Sequence, residues 1–190
     1  MALDGSLNAA LLAPAPLVFC ALEIVLPNHT IRVLDGAGAI GFNGMVFQGF
    51  DATYGSLNGI ESITESVGTE APRVRFTFLP RSNNALAGLA SPSNQGAAVT
   101  MWIGAVNPQV GLVIGQPEIL FIGELDENSF DYDEGSGILT MDCGSAWDRF
   151  FDGNEGARQT DNFQQSIYPG DQAFSFITGV DEQLYWGYNA

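Results

Sequence analysis

Residues 97–143 contain strand-like runs separated by turns that carry glycine and proline, and this pattern constrains the fold more than any other. The runs are rich in β-branched and aromatic residues, which favour strands over helices. They are residues 97–104 (AAVTMWIG), 118–126 (EILFIGELD), with an extended continuation over 128–133, and 138–143 (ILTMDC). The turns are residues 107–111 (NPQVG) and 134–137 (EGSG). We therefore predict an antiparallel sheet that the rest of the chain must cover or close into a barrel.

The run at residues 118–126 is apolar in both of its alternating registers. A strand with one face in water alternates apolar and polar side chains, whereas a strand covered on both faces does not. We therefore expect both faces of this strand to be covered.

Composition limits the class of protein. A chain of 190 residues is expected to form one domain, with room for an extension. Its 23 glycines and 13 phenylalanines favour a turn-rich all-β protein with little helix. The formal net charge of −16 argues against nucleic-acid binding and against anionic membrane surfaces. The acidity leaves two interpretations open: the solubility of a fairly apolar subunit, or a surface that repels DNA.

The first part of the chain predicts a short helix and a hairpin. Leucine and alanine fall at helical spacing in residues 3–11, Asp4 or Ser6 is placed to cap them, and Pro14 ends the helix. Residues 17–26 form a predicted strand that pairs with residues 31–34 across a turn. No apolar run reaches the length of a membrane helix, and no positively charged segment of a secretory signal precedes the first run.

Residues 73–79 (RVRFTFL) show the clearest alternation in the chain. Val74, Phe76 and Phe78 are expected on one face, and the arginines on the other are expected in water or against an acidic partner. Residues 84–90 predict a short helix that ends before Pro92.

Residues 36–41 (GAGAIG) contain the spacing G-x-G-x-x-G, which in dinucleotide-binding folds joins a strand to a helix. Aromatic residues and an Asn-Gly pair follow here in place of helix-forming residues. We therefore predict a hairpin with Asn43-Gly44 as a type I′ turn, and no cofactor site.

The sequence provides little for catalysis or metal binding. His29 is the only histidine, and Cys20 and Cys143 are the only cysteines. We expect no catalytic residue and buried free thiols, because neither cysteine lies among basic residues and no G-x-S-x-G motif is present. We expect no metal site, because a usual zinc site needs more ligands than one histidine and two distant cysteines. Acidic residues form a cluster whose spacing does not fit a calcium-binding EF-hand loop, and we interpret it as the rim of a hairpin. Its members are Asp126, Glu127, Asp131, Asp133 and Glu134.

The C-terminal segment differs in composition from the rest. We place the boundary between a domain of residues 1–151 and an irregular arm of residues 152–190. The arm is too rich in aromatic residues for a free tail, so its rings must pack either on their own domain or on a neighbouring protein. The candidate interface residues are Phe163, Tyr168, Pro169, Phe174, Phe176, Tyr185 and Trp186.

Five motifs, in this order, resemble the minor tail proteins of long-tailed bacteriophages, of the distal-tail and tail-tip hub type. They are residues 41–49 (GFNGMVFQG), 95–104 (QGAAVTMWIG), 117–126 (PEILFIGELD), 168–176 (YPGDQAFSF) and 185–187 (YWG). The resemblance covers residues 17–187. It implies an all-β fold with minor α content: an antiparallel tail-tube-like β-barrel or sandwich with a short flanking helix and an irregular C-terminal arm.

The resemblance also implies a function and partners. We expect a structural subunit of the tail tip that forms a homo-oligomeric ring, of six copies or alternatively of three, and leaves a channel for DNA. Its partners would be the tail tube protein and the hub and fibre proteins, and it would be located in the virion, with no cofactor, no membrane and no enzymatic activity. Two alternatives remain: a carbohydrate- or receptor-binding β module of the tail tip, and a cell-wall hydrolase, which the histidine and cysteine counts disfavour.

Overall fold

The computed structural model describes residues 3–61, 72–133, 136–145 and 160–175. The chain divides into two compact units, residues 1–149 and residues 150–190. Strands dominate the described part of the first unit and helices are short, which confirms the prediction of a mostly β fold with minor α content.

The elements of the first unit follow one another in short segments, apart from one long strand. The helices are α1 (Gly5–Leu11) and α2 (Asn83–Leu89), and a 3-10 turn covers Pro92–Asn94. The first six strands are β1 (Val18–Val25), β2 (Thr30–Leu34), β3 (Ala39–Phe42), β4 (Met45–Gln48), β5 (Gly55–Ile60) and β6 (Arg73–Pro80). The last three are β7 (Ala98–Val106), β8 (Val113–Asp133) and β9 (Ser136–Ser145).

The strands form one nine-stranded sheet in the order β3-β4-β2-β1-β7-β8-β9-β6-β5. All pairs are antiparallel except β2 with β4, which meet in parallel at Val33 and Gln48. The sheet curls until β5 approaches β2, but no backbone ladder joins these two strands among the described residues. The barrel expected from the sequence is therefore not closed, and β3 and β5 are the edges of the sheet.

The inner face of the curled sheet carries the main core. Val74, Phe76 and Phe78 of β6 are buried there, as the alternation in residues 73–79 predicted. They pack with inward side chains of β1, β2, β7, β8 and β9 and with Leu89 of α2. Burial of each large apolar side chain contributes about 1.5–3 kcal/mol, so this face supplies most of the driving force for folding.

A second apolar cluster lies on the outer face, beneath the β3–β4 hairpin. Phe42 and Phe47 of the hairpin stack with ring centroids 4.7 Å apart, and both rings meet the edge of Trp102. Asn43 and Gly44 have φ angles of 50° and 73°, which is the geometry of a type I′ turn. The structure thus confirms the predicted hairpin at the G-x-G-x-x-G segment.

The prediction for the run at residues 118–126 is wrong. Ile119, Leu120 and Ile122 are exposed, whereas Phe121 and Leu125 are buried in the main core. The physical reason is that the β3–β4 hairpin covers the outer face only as far as Trp102, the residue that pairs with Ile119. An irregular register between Met101 and Trp102 also leaves Leu120 without a directly paired residue on β7.

The N-terminal helix is confirmed at residues 5–11. The carboxylate of Asp4 caps it by accepting hydrogen bonds from the backbone N–H groups of Ser6 and Leu7. Leu7 is fully buried, and α1 contacts β7 and β8. Gly115 of β8 has a φ of 64° and lies so close to Asp4 that a Cβ atom there would collide with the carboxylate.

In the second unit the structure describes one helix, α3 (Asp161–Ile167), which Thr160 caps at its N-terminus. This helix was not predicted, because the segment was interpreted as irregular.

Candidate functional site

The arginines of β6 form a network of ion pairs on the outer face. Nε of Arg75 lies 2.6 Å from Oδ1 of Asp142, and Nη1 of Arg75 lies 3.7 Å from Oε2 of Glu61. The Asp142 hydrogen bond raises the pKa of the Arg75 guanidinium. Nη1 of Arg73 lies 3.1 Å from Oδ2 of Asp126. The acidic partner expected for this face is therefore part of the same chain.

The other two arginines in the described ranges also have partners. Nε of Arg32 lies 2.5 Å from Oε2 of Glu23, and Nη1 of Arg81 donates a hydrogen bond to the carbonyl oxygen of Ala52. Every arginine of the described residues is therefore engaged within the chain. Acidic residues outnumber arginines, 22 to six, in the full sequence.

His29 belongs to a small polar cluster that connects two loops. Its Nε2 atom lies 2.9 Å from Oδ2 of Asp51, and its ring meets Tyr54 edge-on with centroids 5.3 Å apart. Oδ1 of Asp51 accepts hydrogen bonds from the backbone N–H groups of Thr53 and Tyr54. The cluster ties the β1–β2 turn to the loop before β5, across the gap where the barrel does not close.

The electrostatics of this cluster favour a charged Asp51. Partial burial alone would raise the pKa of its carboxyl group, but the hydrogen bonds from His29, Tyr54 and Thr53 together lower that pKa below its ordinary value. A depressed carboxyl pKa is the sign of a stabilising role, because the folded state holds the ionised form.

The two cysteines are free thiols on strands that are not neighbours in the sheet. Burial raises the pKa of Cys20 to about 12, and burial also raises the pKa of Cys143. The thiolate is the reactive form of cysteine, so both thiols are poor nucleophiles at neutral pH.

Metal-binding clusters and membrane-spanning helices are both absent from the described part of the chain. Within it, no cluster of His, Cys, Asp and Glu side chains is arranged to hold a metal ion. No helix in the same ranges has the length and apolar character needed to cross a membrane. In the acidic cluster, Asp126 pairs with Arg73, and Glu127 is exposed on β8. The side chains of Asp131, Asp133 and Glu134 lie outside the described set.

The predicted interface residues of the arm fall partly on α3 and the turn that follows it. Phe163 on α3 and Phe174 are half-buried, Pro169 is exposed, and Tyr168 is 62% exposed. A hydrogen bond from Gln164 to Asp171 ties the turn back to the helix. Phe176, Tyr185 and Trp186 lie outside the described residues. The structure therefore brings four of the seven into one short segment, and their role as an interface stays a prediction.

A second feature, an exposed apolar area, was not predicted from the sequence. Val25, Ala98, Ile119, Leu120 and Ile122 form an exposed apolar area on the outer face of β1, β7 and β8, which we name the outer strip. The signal for it was the run at residues 118–126, apolar in both registers. Such a run indicates either two covered faces or one covered face and one exposed apolar face, and the sequence does not separate these.

Comparison with models of protein families gives no match to this sequence, and comparison with curated proteins gives none either.

Proposed function

We propose that this chain is a structural subunit of a bacteriophage tail tip, forming a ring that links the tail tube to the baseplate or fibres. The observation that carries the proposal is the open sheet, whose edge strands β3 and β5 have no further strand partner among the described residues. Strand edges with unpaired N–H and C=O groups favour pairing with another chain. Copies related by rotation can pair edge to edge until the ring closes.

The order of five motifs that resemble minor tail proteins supports the same function. The described residues form one β unit, and a sixfold tube requires six such units, so a ring of six copies fits better than a ring of three. The tail tube, hub and fibre proteins would be its neighbours in the virion.

The charge of the chain supports passage of DNA without binding. Its net charge is −16, and the four described arginines are held in contacts within the chain. A channel lined by such a surface repels phosphates, so DNA slides through it without adhering.

Electron microscopy of the purified protein tests the ring directly. We expect closed rings with a central hole, and native mass spectrometry should give a closed oligomer of six copies. Because a ring could need the tube as a template, the same measurements should be made with the tail tube protein present. Monomers alone under both conditions, or tight binding to duplex DNA at physiological salt, would contradict the proposal.

Truncation after Phe151 tests the interface proposed for the arm. If the arm contacts a neighbour, the truncated protein should keep its fold and a cooperative melting transition but lose assembly into rings. If the truncated protein unfolds or aggregates as a monomer, the aromatic residues of the arm belong to its own core.

A second candidate is a carbohydrate- or receptor-binding module. It is favoured by a shallow pocket of about 370 Å³ lined by residues 37–39 and 48–50, where the Phe50 ring is 49% exposed. Sugar rings stack on exposed aromatic rings, and Gln48 supplies a hydrogen-bonding group. A glycan array probed with the wild type and with Phe50→Ala would support this candidate if it showed binding that the substitution removes.

A further inference from the structure

We infer that one end of the sheet, built from uncharged segments, is a docking surface for a second copy of this chain. The sequence contains three long runs without Asp, Glu, Lys, Arg or His, although 15% of all residues are charged. They are residues 5–22, 36–50 and 82–117. The first run holds α1 and most of β1, the second holds the β3–β4 hairpin, and the third holds α2, β7 and the start of β8.

The backbone brings the first and third runs together at one end of the sheet. The N–H group of Val106, the last residue of β7, donates a hydrogen bond to the carbonyl oxygen of Leu17, just before β1. The N–H group of the next residue, Asn107, donates to the carbonyl oxygen of Leu112, just before β8. Leu17 and Leu112 therefore flank the end of β7 on its two sides, at about the 4.8 Å spacing of neighbouring strands.

Helix α1 and the turn of the β3–β4 hairpin complete this end. α1 contacts β7 and β8, and Gly115 lies against Asp4, which caps the helix. Nε2 of Gln116 donates a hydrogen bond of 3.2 Å to Oδ1 of Asn43 in the hairpin turn. Contiguous exposed apolar side chains mark interaction sites. We name those gathered here the uncharged end: Leu12, Leu17, Val18, Val110 and Leu112.

The polar residues around these side chains select the occupant. The core of a protein interface is ordinarily depleted of charge, whereas its rim is polar. Here exposed polar positions in the same segments carry amides and no charge, namely Asn8, Gln109 and Gln116. A basic partner would be attracted by carboxylates in such a rim, so their absence brings it no benefit. A partner with the same strongly negative charge does benefit, because no carboxylates oppose one another.

A second copy of this chain is such a partner, since each copy carries a net charge of −16. Copies of an acidic chain repel one another in any assembly, and the uncharged end lets two of them meet through apolar contacts without adding to that repulsion. The inference goes beyond the proposed ring. Edge pairing joins copies side by side through β3 and β5, whereas this contact joins them at the ends of strands, whether or not a ring closes.

Sedimentation velocity of the full chain tests the inference. The proteins are the wild type, Leu112→Ser and Leu112→Asp, with Phe130→Ser and Phe130→Asp as matched controls. Leu112 is 67% exposed, and Phe130, on β8 outside the uncharged end, is 63% exposed. Since both sites are exposed, circular dichroism should show an unchanged fold in all four variants. Each protein is measured up to about 200 μM, at physiological salt and at high salt.

We expect the wild type to associate reversibly, and Leu112→Ser to raise the dissociation constant by about tenfold, as truncation of a central contact does. Leu112→Asp should raise it further, because each copy then brings an unpaired carboxylate into the contact. The Phe130 variants should change it by less than about twofold. High salt should strengthen association of the wild type, because it screens the repulsion between copies and an apolar contact has no ion pair to weaken.

Four outcomes would overturn the inference. The first is a wild type that stays monomeric at every concentration and salt, and the second is equal effects of the Leu112 and Phe130 variants. The third is association that high salt weakens, which would indicate ion pairs. The fourth is flotation of a monomeric wild type with phosphatidylcholine vesicles that Leu112→Ser abolishes, which would make a lipid surface the occupant.

Electron micrographs of Leu112→Asp separate this inference from the proposed ring. Rings that persist in this variant, together with an unchanged dissociation constant, would overturn the docking surface and leave the ring standing. A wild type that forms pairs sensitive to Leu112→Ser, but no rings with or without the tail tube protein, would support the docking surface and contradict the ring.

Discussion

The contact between His29 and Asp51 should stabilise the fold where β2 approaches β5, two strands that no backbone ladder joins among the described residues. The perturbation is a double-mutant cycle with His29→Ala, Asp51→Ala and both together. The Asp51 side chain is only 12% exposed and that of His29 is 35% exposed, so the pair lies between an exposed ion pair and a buried one. Exposed pairs contribute about 0.2–1 kcal/mol and hydrogen bonds to charged groups about 1.5–3 kcal/mol. We expect a coupling energy of about 1 kcal/mol.

The single substitutions should cost different amounts. His29→Ala also loses the edge contact with Tyr54, which adds about 0.5–1.5 kcal/mol to the loss. Asp51→Ala should cost more than His29→Ala, because the N–H groups of Thr53 and Tyr54 lose their acceptor as well. For a chain of this size a loss of 1 kcal/mol lowers the melting temperature by about 2–4 °C.

The pH dependence follows from the lowered pKa of Asp51. Its contribution should be fully present above the unfolded value of 3.8 and should be lost as pH falls through the lower folded value. Asp51→Asn keeps an acceptor for the turn but removes the charge. Its destabilisation relative to the wild type should therefore shrink in acid below the unfolded value, where the wild-type carboxyl group is protonated too.

Urea unfolding followed by tryptophan fluorescence measures these free energies. Gln116→Ala is the control, because Gln116 donates an exposed side-chain hydrogen bond to Asn43, and its loss should cost less than about 0.5 kcal/mol. A coupling energy indistinguishable from zero would refute the assignment of a stabilising role to the His29–Asp51 contact. So would a destabilisation by Asp51→Asn that stays the same from neutral pH to strongly acidic pH.

Three further predictions concern the cores and the chemistry. Phe47→Ala should lower the free energy of unfolding in urea by about 3–5 kcal/mol, because the ring is fully buried. Phe50→Ala, at an exposed position, should lower it by less than about 0.5 kcal/mol, and equal losses would contradict the burial of Phe47 in the outer cluster. Gly104→Ala should cost about 1–3 kcal/mol in the same assay, because a Cβ atom there collides with the Phe19 ring, and a neutral result would contradict the packing. Zymography on bacterial cell wall should show no clearing, and clearing that His29→Ala abolishes would identify an enzyme.

The elements predicted correctly are those that local sequence determines. The β3–β4 hairpin follows from Asn43-Gly44, the one pair in that segment suited to positive φ at both turn positions. β6 follows from strict alternation, and α1 from its spacing and the Asp4 cap. In each case the signal and the structure lie within about ten residues of one another, so no knowledge of the tertiary fold was required.

The elements missed depend on contacts between distant residues. His29 and Asp51 are 22 positions apart and show no periodic signal, so their contact emerges only when the sheet curls. The α3 helix has a short, polar sequence, and Thr160 as its N-cap was its only clear sign. The exposed face of β8 could not be predicted either, because the sequence of a strand does not say how far a hairpin folded over its neighbours will reach.

The distribution of arginine bears directly on the proposed channel. A chain with 22 acidic residues and six arginines has few cations to place, and the four in the described ranges neutralise carboxylates or hold a backbone carbonyl. The charged side chains left unmatched by arginine are carboxylates. Such a surface repels DNA phosphates and repels other copies except where strand edges or apolar contacts compensate.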